Sequence, residues 1–198
     1  MIKITAGILS GGKSSRMGRD KALLSYGECT FLEHLAGELT DFAQVLVSVD
    51  EPERWPNLPY PVVADELHGF GPVEGIYQLL RRAETPYLLV TAIDMQNLTA
   101  AFLRGFTACL RPEDRCLALC DGNLLEPLCS VYHKDALPVL ERMRREGVRR
   151  PRAVFSALPT RYVELSALGY GPEIVRNINT RAEYAALLEQ ETEQERNR

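Results

Sequence analysis

The chain has 198 residues, 45% of them hydrophobic, enough to bury a full core as one domain or one domain with a small appendage. A net charge of −4, a pI near 5.5 and the lack of any long Lys/Arg run argue against general affinity for nucleic acid, which needs a concentrated basic surface. No apolar run approaches the length of a membrane span.

Residues 2–9 read as a buried strand that flows into a Gly-rich loop, not as a signal peptide. Thr30 and Glu33 form a capping box opening a helix to residue 39, with Phe31, Leu32 and Leu35 on one side. Residues 45–49 and 61–64 are further strands, and the acid-rich "SVDEPERW" between them reads as a solvated loop. Pro72, directly after Gly71, suits the first position of a helix to about residue 83. Residues 87–93 are apolar except Thr91, as in a strand covered on both faces, and Thr99 can cap a helix through residue 110.

The style then changes. Residues 115–120 and 124–132 are β-rich and separated by Asp121-Gly122-Asn123, a hairpin signal. Residues 134–146 are helical and stop at Gly147, 161–165 form a last strand, and Thr180 with Glu183 caps a final helix. The tail "EQETEQERNR" is polar and expected to fray. Alternation of strand and helix followed by a hairpin predicts an α/β three-layer sandwich with a mostly parallel, Rossmann-like sheet and an antiparallel insertion. The five cysteines are odd in number and form no C-x-x-C pair, so they read as reduced thiols of a cytoplasmic protein. His133, alone at a strand-to-helix junction, reads as packing or capping.

The chemistry concentrates in "GILSGGKSSRMGRDK" (residues 7–21). Taken literally, Gly7 to Ser14 satisfies G-x-x-x-x-G-K-[ST], a phosphate loop in which Lys13 would be the essential cation. A phosphate loop, however, opens directly into a long helix, whereas residues 15–20 carry a Gly and no apolar stripe, and Tyr26-Gly27-Glu28 turns the chain before a helix begins. Asp94, at the end of an apolar strand, fits a metal-binding aspartate in either kind of nucleotide site.

Set as L-S-G-G-x-x-x-R-M-G-x-D-K, residues 9–21 resemble the opening of small-molecule nucleotidyltransferases, most closely the molybdenum cofactor guanylyltransferases. Four more segments resemble that family in the same order: "VVADELHGFGPVEGI" (62–76), "LLVTAIDM" (88–95), "EPLCSVYHKDALPVLERMRREGVRR" (126–150) and "NINT" (177–180). The resemblance implies a fold like the nucleotide-diphospho-sugar transferases in a single domain over 1–190, with residues 1–110 binding NTP, 111–190 binding the acceptor, and 191–198 a polar tail. It implies transfer of GMP from GTP to molybdopterin with Mg2+, pyrophosphate release, and molybdopterin-delivering or molybdoenzyme partner proteins. A cytidylyl or sugar-phosphate transferase and a phosphate-loop switch are the alternatives.

By the same resemblance, Leu9, Ser10, Gly11 and Gly12 form the nucleotide loop, and Gly11 leaves room for a purine. Arg16 would grip the β/γ-phosphates, Lys21 the α-phosphate, and Asp94 the metal. Asp65 would contact ribose or base, and Arg149, Arg150, Asn177 and Asn179 would face the acceptor, Asn179 also being able to complete the metal site. Solvated surface cations and a turn-forming asparagine are the plain alternatives for these last residues. Three departures stand out: Gln96 where the family has Pro, Ser48 where many members carry Asn, and Ser10 for Ala.

Overall fold

A computed structural model describes residues 2–11, 21–54 and 58–196. Its elements are β1 (Ile4–Leu9), β2 (Ser25–Tyr26), β3 (Cys29–Thr30), α1 (Phe31–Glu38), β4 (Gln44–Val49), β5 (Val62–Ala64), α2 (Pro72–Arg82) and β6 (Tyr87–Ala92). Then come α3 (Ala100–Thr107), β7 (Cys116–Asp121), β8 (Leu124–His133), α4 (Leu137–Glu146), α5 (Ala153–Ala157), β9 (Thr160–Glu164) and α6 (Arg181–Arg196).

Seven strands form one sheet in the order β5-β4-β1-β6-β8-β7-β9, with β8 alone antiparallel to its neighbours. Every residue of β1 and β6 is buried, as a strand covered on both faces requires. On one face, Phe31, Leu32 and Leu35 of α1 pack with Phe102, Leu103 and Phe106 of α3 and Leu187 of α6. On the other, Val73, Ile76, Leu79 and Leu80 of α2 meet Leu140 and Met143 of α4 and Val154 and Phe155 of α5. The expected three-layer α/β sandwich is what forms.

Local signals hold where backbone chemistry decides them. Thr30 and Glu33 exchange both hydrogen bonds of a capping box, Thr99 caps α3, and α4 ends at Gly147 with φ 72°. The β7–β8 turn is Gly122-Asn123, with Gly122 at φ 56°. Several boundaries differ from expectation. The helix expected over 134–146 opens with a 3-10 turn and becomes α-helical at Leu137. Helix α3 ends at Thr107 rather than residue 110, where the chain tightens into i→i−3 bonds from Cys109 N–H to the Phe106 carbonyl and from Leu110 N–H to the Thr107 carbonyl. Helix α6 continues to Arg196, through the polar tail whose Glu, Gln and Arg residues are strong helix formers.

Three residues of β8 sit opposite no residue of β7: Leu119 faces Glu126, whereas Ala118 faces Ser130. Ser130 Oγ bridges this bulge, donating to the Glu126 carbonyl at 2.7 Å and accepting from Leu119 N–H at 3.4 Å. Pro127, which cannot donate to a ladder, falls within it. The bulge re-aims the strand just where it passes the site.

Candidate active site

The carboxyl edge of the parallel strands gathers Ser10, Gly11, Lys21, Asp65, Asp94 and Asn179, as open α/β sheets do at their ligand crevice. After β1, Ser10 N–H donates to the Ser48 carbonyl at 2.9 Å and turns the chain onto exposed Gly11. Ser10 Oγ is buried with no partner among the described residues. Gly12, Lys13 and Arg16 lie outside the described residues. The first α-helix described after β1 is α1; residues 21–30 form a 3-10 turn at Lys21–Leu23 and the β2–β3 hairpin. A phosphate-loop helix running several turns past Ser14 would extend into that stretch, and among the described residues 21–30 there is no α-helix.

Beyond β6, three distant segments converge. Lys21 Nζ donates to Asp94 Oδ2 at 3.1 Å and to Asn179 Oδ1 at 2.7 Å, although Lys21 and Asn179 are 158 residues apart. Both charged side chains are largely sheltered, at 14% and 22% exposure. Ile178 N–H donates to the Asp94 carbonyl at 2.9 Å, which pins the 177–180 turn to the strand end. Glu183 accepts the Asn179 and Thr180 amides at 2.8 Å, and these bonds hold its carboxyl below the usual range. Asn177 Oδ1 is buried with no partner among the described residues.

Gln96, the departure from the family's Pro, is buried and does the turn's work differently. Its side-chain amide donates to the carbonyls of Ile93 at 2.6 Å and Phe31 at 3.2 Å, fastening the Asp94 turn to α1.

A second acid site lies on the other side of β1. Asp65, directly after β5, is buried, and Ser48 Oγ donates to its Oδ1 at 3.0 Å. Burial, together with a hydrogen bond to the Asp50 side chain, pushes the Asp65 carboxyl up to about 7 against the opposing effect of Ser48. Asp50 also bounds the glycine loop, since a Cβ on Gly11 would stand 3.3 Å from its Oδ1. This corrects the reading of the segment after β4 as merely solvated: its first acid belongs to the site.

Helix α2 can approach this edge because Gly75 has no side chain. A Cβ there would stand 2.6 Å from Leu9 Cδ2 and 2.8 Å from Ser48 Oγ. Arg149 and Arg150, after α4, are exposed; Arg149 donates to the Gly69 carbonyl at 3.4 Å and lies over the Phe70 ring. His133 caps the turn after β8, its Nδ1 accepting Asp135 N–H at 3.1 Å.

Glu126, on the bulge of β8, escaped the sequence reading except as part of a matching segment. Burial pushes its carboxyl up, the Leu128 amide draws it down, and the nearby Asp94 charge adds to the rise. Nothing local in the sequence marks it, because the bulge that brings it toward Asp94 is a product of strand pairing.

Residues 6–162 match the family described as the MobA-like NTP transferase domain. A probable molybdenum cofactor guanylyltransferase of Carboxydothermus hydrogenoformans is 33% identical over 194 residues, covering 95% of this chain and 96% of the relative. The solved structure of molybdopterin-guanine dinucleotide biosynthesis protein A from Archaeoglobus fulgidus superposes with a TM-score of 0.81 at 21% identity, covering 96% of this chain and 99% of the other. A Mycobacterium tuberculosis protein solved in complex with manganese shares the fold at a TM-score of 0.66 and 16% identity, covering 94% and 98%. With its glycine loop, its strand-end aspartate and a match over most of its length, this chain belongs to the MobA-like NTP transferase family.

Proposed function

We propose that the chain is a molybdenum cofactor guanylyltransferase. A phosphate oxygen of molybdopterin attacks the α-phosphorus of GTP, the bond from that phosphorus to the β-bridging oxygen breaks, and pyrophosphate leaves. The observation that carries the site assignment is the meeting of Lys21, Asp94 and Asn179 at the carboxyl edge of the sheet. An ammonium between a carboxylate and an amide oxygen is poised to neutralise charge building on an α-phosphoryl group, the main demand of this reaction.

Besides binding Lys21, Asp94 and Asn179 offer a carboxylate and an amide oxygen, donors of the kind Mg2+ prefers, and that ion needs few protein ligands. Asp94 would hold the ion, which when bound supplies charge neutralisation to the phosphates. Leu9, Ser10, Gly11 and Gly12 would present backbone to the nucleotide, Arg16 would take the leaving β/γ-phosphates, and Asp65 would contact base or ribose. The orphaned oxygens of Ser10 and Asn177 supply polar groups with no partner of their own among the described residues. In this reading residues 1–110 bind GTP, while 111–190, with Arg149, Arg150, Asn177 and Asn179, face the acceptor. Among the described residues no helix is long and apolar enough to cross a membrane. We place the reaction in the cytoplasm, where carrier and molybdoenzyme partners would deliver and receive the pterin.

The test is a panel of GTP, CTP, UTP and ATP with Mg2+ or Mn2+, with and without molybdopterin. Pyrophosphate released from GTP only when molybdopterin is present is the expected result. Preference for CTP would reassign the nucleotide, and phosphate released without an acceptor would restore the switch reading.

A further inference from the structure

Glu74 stands in the Gly-Pro-x-x-Gly stretch, on the first turn of α2, and is wholly buried on the flank it shares with Tyr77 and Gln78, beside the apolar stripe of Val73, Ile76 and Leu80. A carboxylate there is costly unless its bonds are complete. They are directed at one place. Oε1 accepts the consecutive main-chain amides of Glu66 at 3.0 Å and Leu67 at 3.4 Å, and also the Gln78 amide at 2.7 Å. Arg144 of α4 grips the same carboxylate through Nε to Oε2 at 2.5 Å and Nη2 to Oε1 at 3.1 Å.

Arg144 Nη2 continues to Glu66 Oε2 at 3.0 Å, and its guanidinium lies 4.1 Å from the centre of the Tyr77 ring. Burial would raise the Glu74 carboxyl, but the bonds from Gln78, Arg144 and the Glu66 amide outweigh it and hold it low. The amides so held belong to the two residues immediately after Asp65. The turn that carries Asp65 is therefore fastened from below by α2 and from the side by α4, a helix of the other half of the chain.

We propose that Glu74 is a positioning residue for nucleotide binding: with Arg144 it clamps the Glu66–Leu67 turn so that Asp65 is set before the nucleotide arrives. This rests on the reading that Asp65 contacts the nucleotide. Arg144 makes the clamp a link between the two halves, since the end of the same helix leads to Arg149 on the Gly69 carbonyl. A fixed turn removes an ordering cost that binding would otherwise bear, so the clamp acts on nucleotide affinity more than on turnover.

The test uses full-length protein and two variants, Glu74→Gln and the double variant Glu74→Leu/Arg144→Met. The double variant exchanges the ion pair for apolar side chains, a change that commonly preserves or raises stability, while leaving both amides without their acceptor. Hydrogen exchange of residues 65–71 should quicken about tenfold or more in the double variant and less in Glu74→Gln, which keeps an acceptor oxygen. KM for GTP should rise about five- to twentyfold in the double variant with kcat within about twofold. Unchanged exchange overturns the clamp, and faster exchange with unchanged KM overturns its role in binding. A purely structural role would lower Tm and leave KM alone in the folded protein. If the wild-type protein binds no nucleotide, the parent reading falls and this one with it; normal binding by the wild type with unmoved variants sinks the clamp alone.

Discussion

Asp94 and Asp65 both follow parallel strands at the carboxyl edge of one sheet, on opposite sides of β1, yet Asp94 meets an ammonium and Asp65 meets a second carboxyl group. The first arrangement pairs a negative charge with Lys21 and leaves both able to face phosphate and metal. The second raises the Asp65 carboxyl to about 7, so near neutral pH it passes between a neutral hydrogen-bond donor and a charged acceptor. Equivalent places on a sheet acquire different chemistry from what the neighbouring strands and loops deliver. An ion pair suits the transfer of a phosphoryl group, and an acid of raised titration beside a hydroxyl suits recognition of a polar, uncharged base or ribose.

The comparison breaks most sharply at Asp94. Asp94→Ala is expected to reduce turnover to background while circular dichroism stays unchanged, because it removes a strand-end ligand rather than core volume. Near-normal activity at saturating Mg2+ would take Asp94 out of the mechanism. Lys21→Ala comes next, with an expected loss of about 10²–10³ in kcat, or roughly 3–4 kcal/mol of transition-state stabilisation. Lys13→Ala should cost less than about tenfold, since only a phosphate loop depends on it. Should Lys13 prove the essential lysine, the literal motif is right and the ion pair at Asp94 is structural.

On the Asp65 side the effects are smaller. In Gly11→Ala the new methyl comes within 3.3 Å of Asp50 Oδ1, which must shift by a few tenths of an ångström beside Asp65. GTP affinity should fall more than CTP affinity in titration calorimetry; equal losses would mean that the loop holds phosphates only. The remaining effect is on stability. The folded chain holds a proton on Asp65 up to about 7, whereas the unfolded chain loses it near its ordinary value of 3.8. The native state therefore binds more protons between these values, and stability is highest below the lower one and falls as pH rises to about 7. Asp65→Asn should flatten that fall in thermal melts, and an equal slope in both proteins would mean that the Asp65 carboxyl is not raised.

Sequence by itself determined the elements whose cause is local. The capping box at Thr30 and Glu33, the stop at Gly147, Pro72 opening α2 and the Gly122 turn follow from dihedral preferences and nearest-neighbour hydrogen bonds, which a short window of residues carries. The uninterrupted apolar runs of β1 and β6 likewise announce strands covered on both faces. The ordered motif segments named Lys21, Asp94 and Asn179 individually. Only the tertiary structure decided that these three touch, because a contact across 158 residues depends on strand order and not on spacing. It also decided that Asp50 belongs with Asp65, that a bulge turns Glu126 toward Asp94, and that Glu74 is buried rather than solvated. Each of these is a charged residue whose letter in the sequence reads as surface. Burial and partners are set by the packing of distant elements, and they fix which acid keeps its charge, which keeps its proton, and which holds a turn in place.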